Sequence, residues 1–156
     1  MNAKDRLPLI KKVFEGRAEL DLPQVRLWLG EEIRQAPSAW GVPVPLKALA
    51  FLLYKNGDVE DSPLIWRAKL SNVDCFAILD IELVAGAGPE ETIAYLEGQD
   101  LGSLPIAEHD GREWTILSYL KGSLKSGDFY RREAWYLESL EEEIRELVEE
   151  LETGPK

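Results

Sequence analysis

The sequence predicts an all-α fold of stacked antiparallel helix pairs, HEAT-like in architecture or an irregular bundle, with 1–156 as a single helical domain. Three observations carry that prediction. Apolar residues recur at helical spacing through most of the chain. Caps and prolines punctuate it at intervals suited to short helices. No glycine or proline interrupts the stretch from Asp128 to about Glu152, which reads as a C-terminal acidic amphipathic helix.

The elements follow in order. Residues 4–15 make a first helix with Leu9, Ile10, Val13 and Phe14 on its apolar face. Asp21 and Gln24 have the spacing of a capping box, with Asp in place of Ser or Thr. The helix they open carries Val25, Trp28, Leu29 and Ile33. Residues 36–45 hold Pro37, Pro43 and Pro45, which fix φ and remove donors, so this stretch is a stiff connector. Pro45 suits the first turn of the next helix, about 45–55, which is apolar almost all round and is the expected core element. Lys55 and Gly57 supply its stop. A further helix starts at Asp58 or Ser62, with Pro63 in its first turn.

Residues 62–71 and 74–86 read as two helices flanking Asn72-Val73. The same residues also alternate with period two, so the alternative is an α+β fold with a β-hairpin at about 64–84. Gly86-Ala87-Gly88 breaks the chain, and Pro89, Glu90, Glu91 and Thr92 open a helix toward Ile93 and Leu96. A loop is expected at about 98–111, then a helix faced by Trp114, Leu117, Leu120 and Leu124 that stops at Gly127. A faint repeat pairs Lys55-Asn-Gly-Asp58 with Lys125-Ser-Gly-Asp128, each preceded by a helical run and followed by a tryptophan. Common capping chemistry accounts for it, and a stack of helical hairpins is the alternative.

Composition bounds the function. The net charge is −11, and residues 128–152 hold ten acidic side chains against Arg131, Arg132 and Arg145. Such a chain repels nucleic acid and anionic membranes. The N-terminus lacks a leader pattern and no charge-free apolar run is long enough to span a bilayer, so a cytoplasmic protein is the expectation. Scarce Asn and Gln beside plentiful Glu, Arg and Leu give a thermophile-like composition.

Chemistry is sparse. Asp80 and Glu82 lie inside the most apolar run, 74–88, and each needs a reason to be there. On a strand they share a face; on a helix they point apart. Arg67 and Lys69 are the expected counter-ions. The structural account is a neutralised ion-pair network. The functional one is a carboxylate site at Asp80 or Glu82, with Arg67 or Lys69 anchoring substrate.

The other candidates fall away. The Gly86-Ala-Gly88 turn has anions and a proline where a phosphate needs donors. One cysteine, Cys75, and one histidine, His109, make a zinc site improbable, so neither metal nor cofactor is expected. His109 reads as a solvated loop residue. Asp58, Glu60 and Asp61 fit a helix N-terminus better than a calcium loop. Ser118 and Lys121 match a serine-lysine pair by chance alone.

The acidic helix carries the better-defined signal. Leu137, Leu140, Ile144, Leu147 and Leu151 follow a 3-4 seam, which either packs on its own domain or forms an interface. Trp40, in the proline-rich connector, is an interface candidate if exposed and a packed loop residue if not. The leading functional expectation is a non-catalytic interaction or regulatory module that presents an acidic helical surface to a basic protein partner, or self-associates through this helix. A small carboxylate enzyme and a nucleic-acid mimic are the alternatives.

Overall fold

The chain is mainly helical, with one short hairpin, in a computed structural model that describes residues 2–129 and 133–154. Helix α1 spans Ala3–Phe14. Asn2 caps it, accepting from the Asp5 N–H while the Asp5 carboxylate accepts from the Asn2 N–H. Helix α2, Leu22–Gln35, starts where Asp21 accepts from the Gln24 N–H at 2.8 Å. Helix α3, Val44–Asn56, has Pro45 in its first turn and ends at Gly57 with φ of 73°. Only glycine adopts that left-handed stop at no steric cost. Leu46, Ala48, Leu49, Ala50, Phe51 and Leu53 of α3 are all buried, so α3 is the central core element that its composition predicts.

The turn at Val59–Asp61 is capped by Asp58 and tied to α2 by Arg26. The Arg26 guanidinium donates to both carboxylate oxygens of Asp61, at 2.7 and 3.0 Å, and to Asp58 at 3.2 Å. Asp58 thus caps the turn before Pro63, and both acids hold one arginine.

The central segment is helical, which overturns a hairpin at 64–84. Helix α4 is Ser62–Lys69 and α5 is Val73–Ile78, with Asn72 accepting from the Cys75 N–H at 2.7 Å to start α5. The expected helix over 74–86 is nevertheless broken. At Leu79 the backbone turns extended, and a 3-10 turn follows over Ile81–Ala85. Two side chains cause the break. Lys69 Nζ donates to the Phe76 and Leu79 carbonyls at 2.7 and 2.5 Å, occupying acceptors that a continuing helix would give to its own N–H groups. Asp80 then accepts from the Glu82 N–H at 2.9 Å, restarting the chain as a cap.

Gly86 presses against the end of α3. A Cβ there would stand 2.4 Å from the Tyr54 carbonyl oxygen and 3.1 Å from its carbonyl carbon. Both contacts are backbone, so neither yields easily. Gly86→Ala is expected to lower stability by about 1–3 kcal/mol, read as a lower urea midpoint at unchanged slope.

Helix α6, Pro89–Glu97, follows. The expected loop at 98–111 instead ends in a hairpin. Strands β1, Ala107–His109, and β2, Arg112–Trp114, pair antiparallel with Ala107 opposite Trp114 and His109 opposite Arg112. Asp110 and Gly111 form its turn at φ of 53° and 71°. Positive φ at both central residues is the pattern of a type I′ turn, whose twist matches that of the strands. Trp114 therefore sits on β2, and the helix it was expected to face begins later. Helix α7, Ile116–Ser126, is opened by a Thr115–Ser118 capping box, which also accounts for the Ser118 hydroxyl.

Helix α8, Glu133–Thr153, closes the described chain. Residues 128–132 were expected to begin it, but Asp128 and Phe129 are not helical, and 130–132 lie outside the described residues, Arg131 and Arg132 among them. Its buried stripe is Tyr136, Leu140, Ile144 and Val148, packed on α1 and α3. Lys47 of α3 ties to Glu143 of α8 at 2.8 Å. Among the described residues no helix is long and apolar enough to cross a membrane.

Candidate functional site

Asp80 and Glu82 do different work. Asp80 is spent on the cap just described. Glu82 is buried and faces α3, where the Tyr54 hydroxyl donates to its Oε1 at 3.4 Å. Neither expected counter-ion forms an ion pair with them among the described residues. Arg67 donates instead to the Ser103 carbonyl at 3.1 Å, pinning the 98–106 loop beside the Trp66 Nε1–H to Pro105 carbonyl bond of 2.8 Å. Lys69 is committed to the carbonyls at the end of α5, with its ammonium over the Phe76 ring at 4.7 Å. Burial pulls the Lys69 amine down to about 8, against the favourable field of Asp80.

Glu82 lines a cleft of 450 Å³ together with Tyr54, Glu90, Glu133 and the Gly86–Gly88 turn. Burial first, then the Glu82 and Glu133 carboxylates, push the Tyr54 phenol up to about 12. Tyr54 was read from the sequence only as part of an apolar helix. Its hydroxyl becomes part of a polar cleft because α3 ends there and Gly86 brings the backbone of the following segment against it.

The second candidate is the surface of α8. Leu140 and Ile144 of the predicted seam are buried, and Leu137 and Leu147 are half-buried against the core. The stripe that a coiled coil would use is thus packed on this chain's own α1 and α3, and only Leu151, 39% exposed, lies open. The glutamates between them remain in solvent, apart from Glu143, which is half-buried against Lys47.

Between α1 and α8 runs a groove of 680 Å³. Phe14, half-buried, gives it apolar surface, and the buried Ile144 lies beneath its floor. Among the described residues, Glu15, Glu138, Glu141, Glu142 and Glu149 line it against Lys11 and Arg145. It shares Glu149 with a second hollow toward Leu151, lined by Glu146, Glu150 and Lys4. The groove exists because the buried stripe of α8 runs at i, i+4 spacing, leaving the flanking glutamates to overhang α1.

Trp40 is 99% exposed, so it does not tuck under its loop. The reason lies 31 to 36 residues away. The Asn72 amide donates to the Ala36 and Gly41 carbonyls at 3.1 and 3.0 Å, and the Gly41 N–H donates to Asp74 at 3.0 Å. The connector's polar groups are held against the start of α5, and the indole is left facing water.

His109 sits at the end of β1, its ring 5.7 Å from Phe76 and its side chain 54% exposed. Among the described residues no three His, Cys, Asp or Glu side chains gather as a metal cluster would. Comparison with protein-family models, curated proteins and solved structures gives no match to this chain.

Proposed function

We propose that this protein is a non-catalytic interaction module that takes a basic, amphipathic segment of a partner protein into the groove between α1 and α8. The α1–α8 groove carries the reading: the half-buried Phe14 ring lies between acidic walls. A helix with one apolar face and lysine or arginine flanks satisfies both features at once. Acidic rims of this kind act mainly on the rate of encounter and on the choice of partner.

The test is titration of an amphipathic Lys/Leu peptide against the chain at rising ionic strength. Affinity is expected to fall steadily between about 0.05 and 0.5 M salt, as exposed charges become screened. Reversing Glu141 and Glu142 to lysine is expected to weaken binding by about tenfold. Binding that ignores both salt and the reversals would defeat the proposal.

The cleft at Glu82 favours a second reading, a carboxylate site with Tyr54 beside the acid. It requires that Glu82→Gln abolish turnover of whatever substrate is found, while Asp80→Asn leaves it intact provided the cap survives. Equal losses from both would mark a folding effect.

A further inference from the structure

Phe76, His109, Trp114 and Tyr119 come from four separate places in the sequence and meet in one aromatic cluster. Tyr119 stands edge-on to Trp114 at 5.7 Å and to Phe76 at 5.9 Å. Phe76 in turn contacts His109 at 5.7 Å. Beside these rings is a cavity of 210 Å³ lined by His109, Trp114, Tyr119, Ser123, Asp128 and Gly122. It lies on α7 and the hairpin, apart from the α1–α8 groove and from the Glu82 cleft.

Two features mark the cavity as more than a packing gap. Gly122 lies inside α7, where glycine is less favourable than alanine. Its φ is not left-handed, so the backbone does not demand glycine. A Cβ there would touch Trp114 at 3.5 Å and take up space in the cavity. Asp128 supplies a half-buried carboxylate on the same wall and makes no salt bridge with any described residue. It stands near enough to add to the burial that pushes the Tyr119 phenol up.

Aromatic faces carry negative potential and attract cations. The cluster already does so twice with the chain's own side chains. Lys69 lies over Phe76 and Tyr119 at 4.7 and 5.6 Å, and Arg112 over Trp114 at 5.1 Å. At 210 Å³ the cavity is smaller than the sites that take drug-sized ligands, so it suits a single head group. A bare ammonium or guanidinium is strongly hydrated or needs several acceptors, and one carboxylate supplies few. A quaternary, fully methylated ammonium carries its charge without N–H donors and is attracted by ring and carboxylate together. We propose that this cavity binds a methylated ammonium group, with Trp114 and Tyr119 as its walls, Asp128 as its counter-charge and Gly122 as the residue that keeps it open.

The test is a titration of the whole chain with choline, followed by the indole N–H signal of Trp114 in NMR. Saturable binding with a Kd of about 1 mM or tighter is expected. The uncharged isostere 3,3-dimethylbutan-1-ol is expected to bind about tenfold more weakly. Gly122→Ala fills the cavity in a helix-favouring way, so it keeps the fold while weakening choline by about tenfold or more. Asp128→Asn is expected to do the same, whereas Glu149→Lys in the α1–α8 groove leaves choline binding unchanged. Equal affinity for choline and its isostere, no saturation, or indifference to both Gly122→Ala and Asp128→Asn overturns the proposal. A trimethyl-lysine peptide separates the sources of the group: tighter binding than choline points to a modified protein tail, and weaker binding to a free small molecule.

Discussion

Arg6→Met is expected to cost about 3–5 kcal/mol at neutral pH. Arg6 is 1% exposed and reaches from α1 to α2. Its guanidinium donates to the buried Glu32 at 2.9 Å, pairs with Glu31 and lies over the Trp28 ring at 5.5 Å. Methionine keeps much of the volume and removes the charge. What it leaves behind decides the cost. Glu32 is 2% exposed, and burial already holds its carboxyl above the ordinary value, restrained by the Arg6 hydrogen bond. Without Arg6 that restraint is gone, and Glu32 takes up a proton more readily in the folded chain than in the unfolded one.

The pH dependence follows from that shift. A raised folded pKa means that the unfolded state ionises first as pH increases, so stability is lost as pH rises above the ordinary carboxylate range. Below it both states are protonated and the penalty vanishes. The deficit of Arg6→Met relative to the parent chain is therefore smaller near about pH 4 than near about pH 7. Urea midpoints at the two pH values measure it. Arg6→Met with Glu32→Met is expected to recover most of the loss, because an apolar pair replaces a buried ion pair at little cost. A deficit that stays constant with pH would place the loss in packing around Trp28 instead.

These buried ion pairs were the least legible part of the chain. The starts and stops of α2 and α3 can be read from Asp21, Pro45 and Gly57, because capping is a property of adjacent residues. The break at Leu79 cannot, since it depends on Lys69 reaching across from α4 to take two carbonyls. Local pattern gave the segment from Asp74 to Gly86 good helical spacing, and a tertiary contact overrode it. The hairpin was legible in principle. Asp110-Gly111 is a strong turn signal, but strands of three residues leave almost no alternation to support it.

The candidate sites divide the same way. The glutamates of α8 were readable because a charge-rich helix face stays in solvent whatever it packs on. The seam between them was readable as apolar, but its partner was not, because α1 and α3 match it as well as a second chain would. Trp40 illustrates the limit. Its exposure depends on Asn72 and Asp74, which lie in another element, and nothing in the connector's own sequence announces them. The cavity beside Trp114 is harder still, since its rings are spread over α5, the hairpin and α7.

Lys69 is expected to make the chain more stable as pH rises from about 8 to about 10.5, by about 3 kcal/mol. The amine is 3% exposed, and burial lowers it to about 8 from an ordinary 10.5. Between those values the unfolded chain holds a proton that the folded chain has released, so folding is favoured by removing protons from solution. Below about 8 both states carry the charge, and the folded state bears the cost of burying it.

Other groups oppose this rise. Burial raises the Cys75 thiol from 9.0, the Tyr54 phenol to about 12 and the Tyr119 phenol from 10.0. Each ionises more easily in the unfolded chain, so each withdraws stability as pH climbs past its ordinary value. The parent chain alone will show only the remainder. Lys69→Met isolates the amine, in a Cys75→Ala background that removes the overlapping thiol. At pH 7 the variant is expected to be less stable by about 1–3 kcal/mol, because the Phe76 and Leu79 carbonyls lose their donor. Its deficit is then expected to widen by about 3 kcal/mol between pH 8 and 10.5, since only the chain with Lys69 gains over that range. Urea midpoints across this window give the comparison directly. A gap that stays level would mean that the two carbonyls hold the ammonium as well as water does.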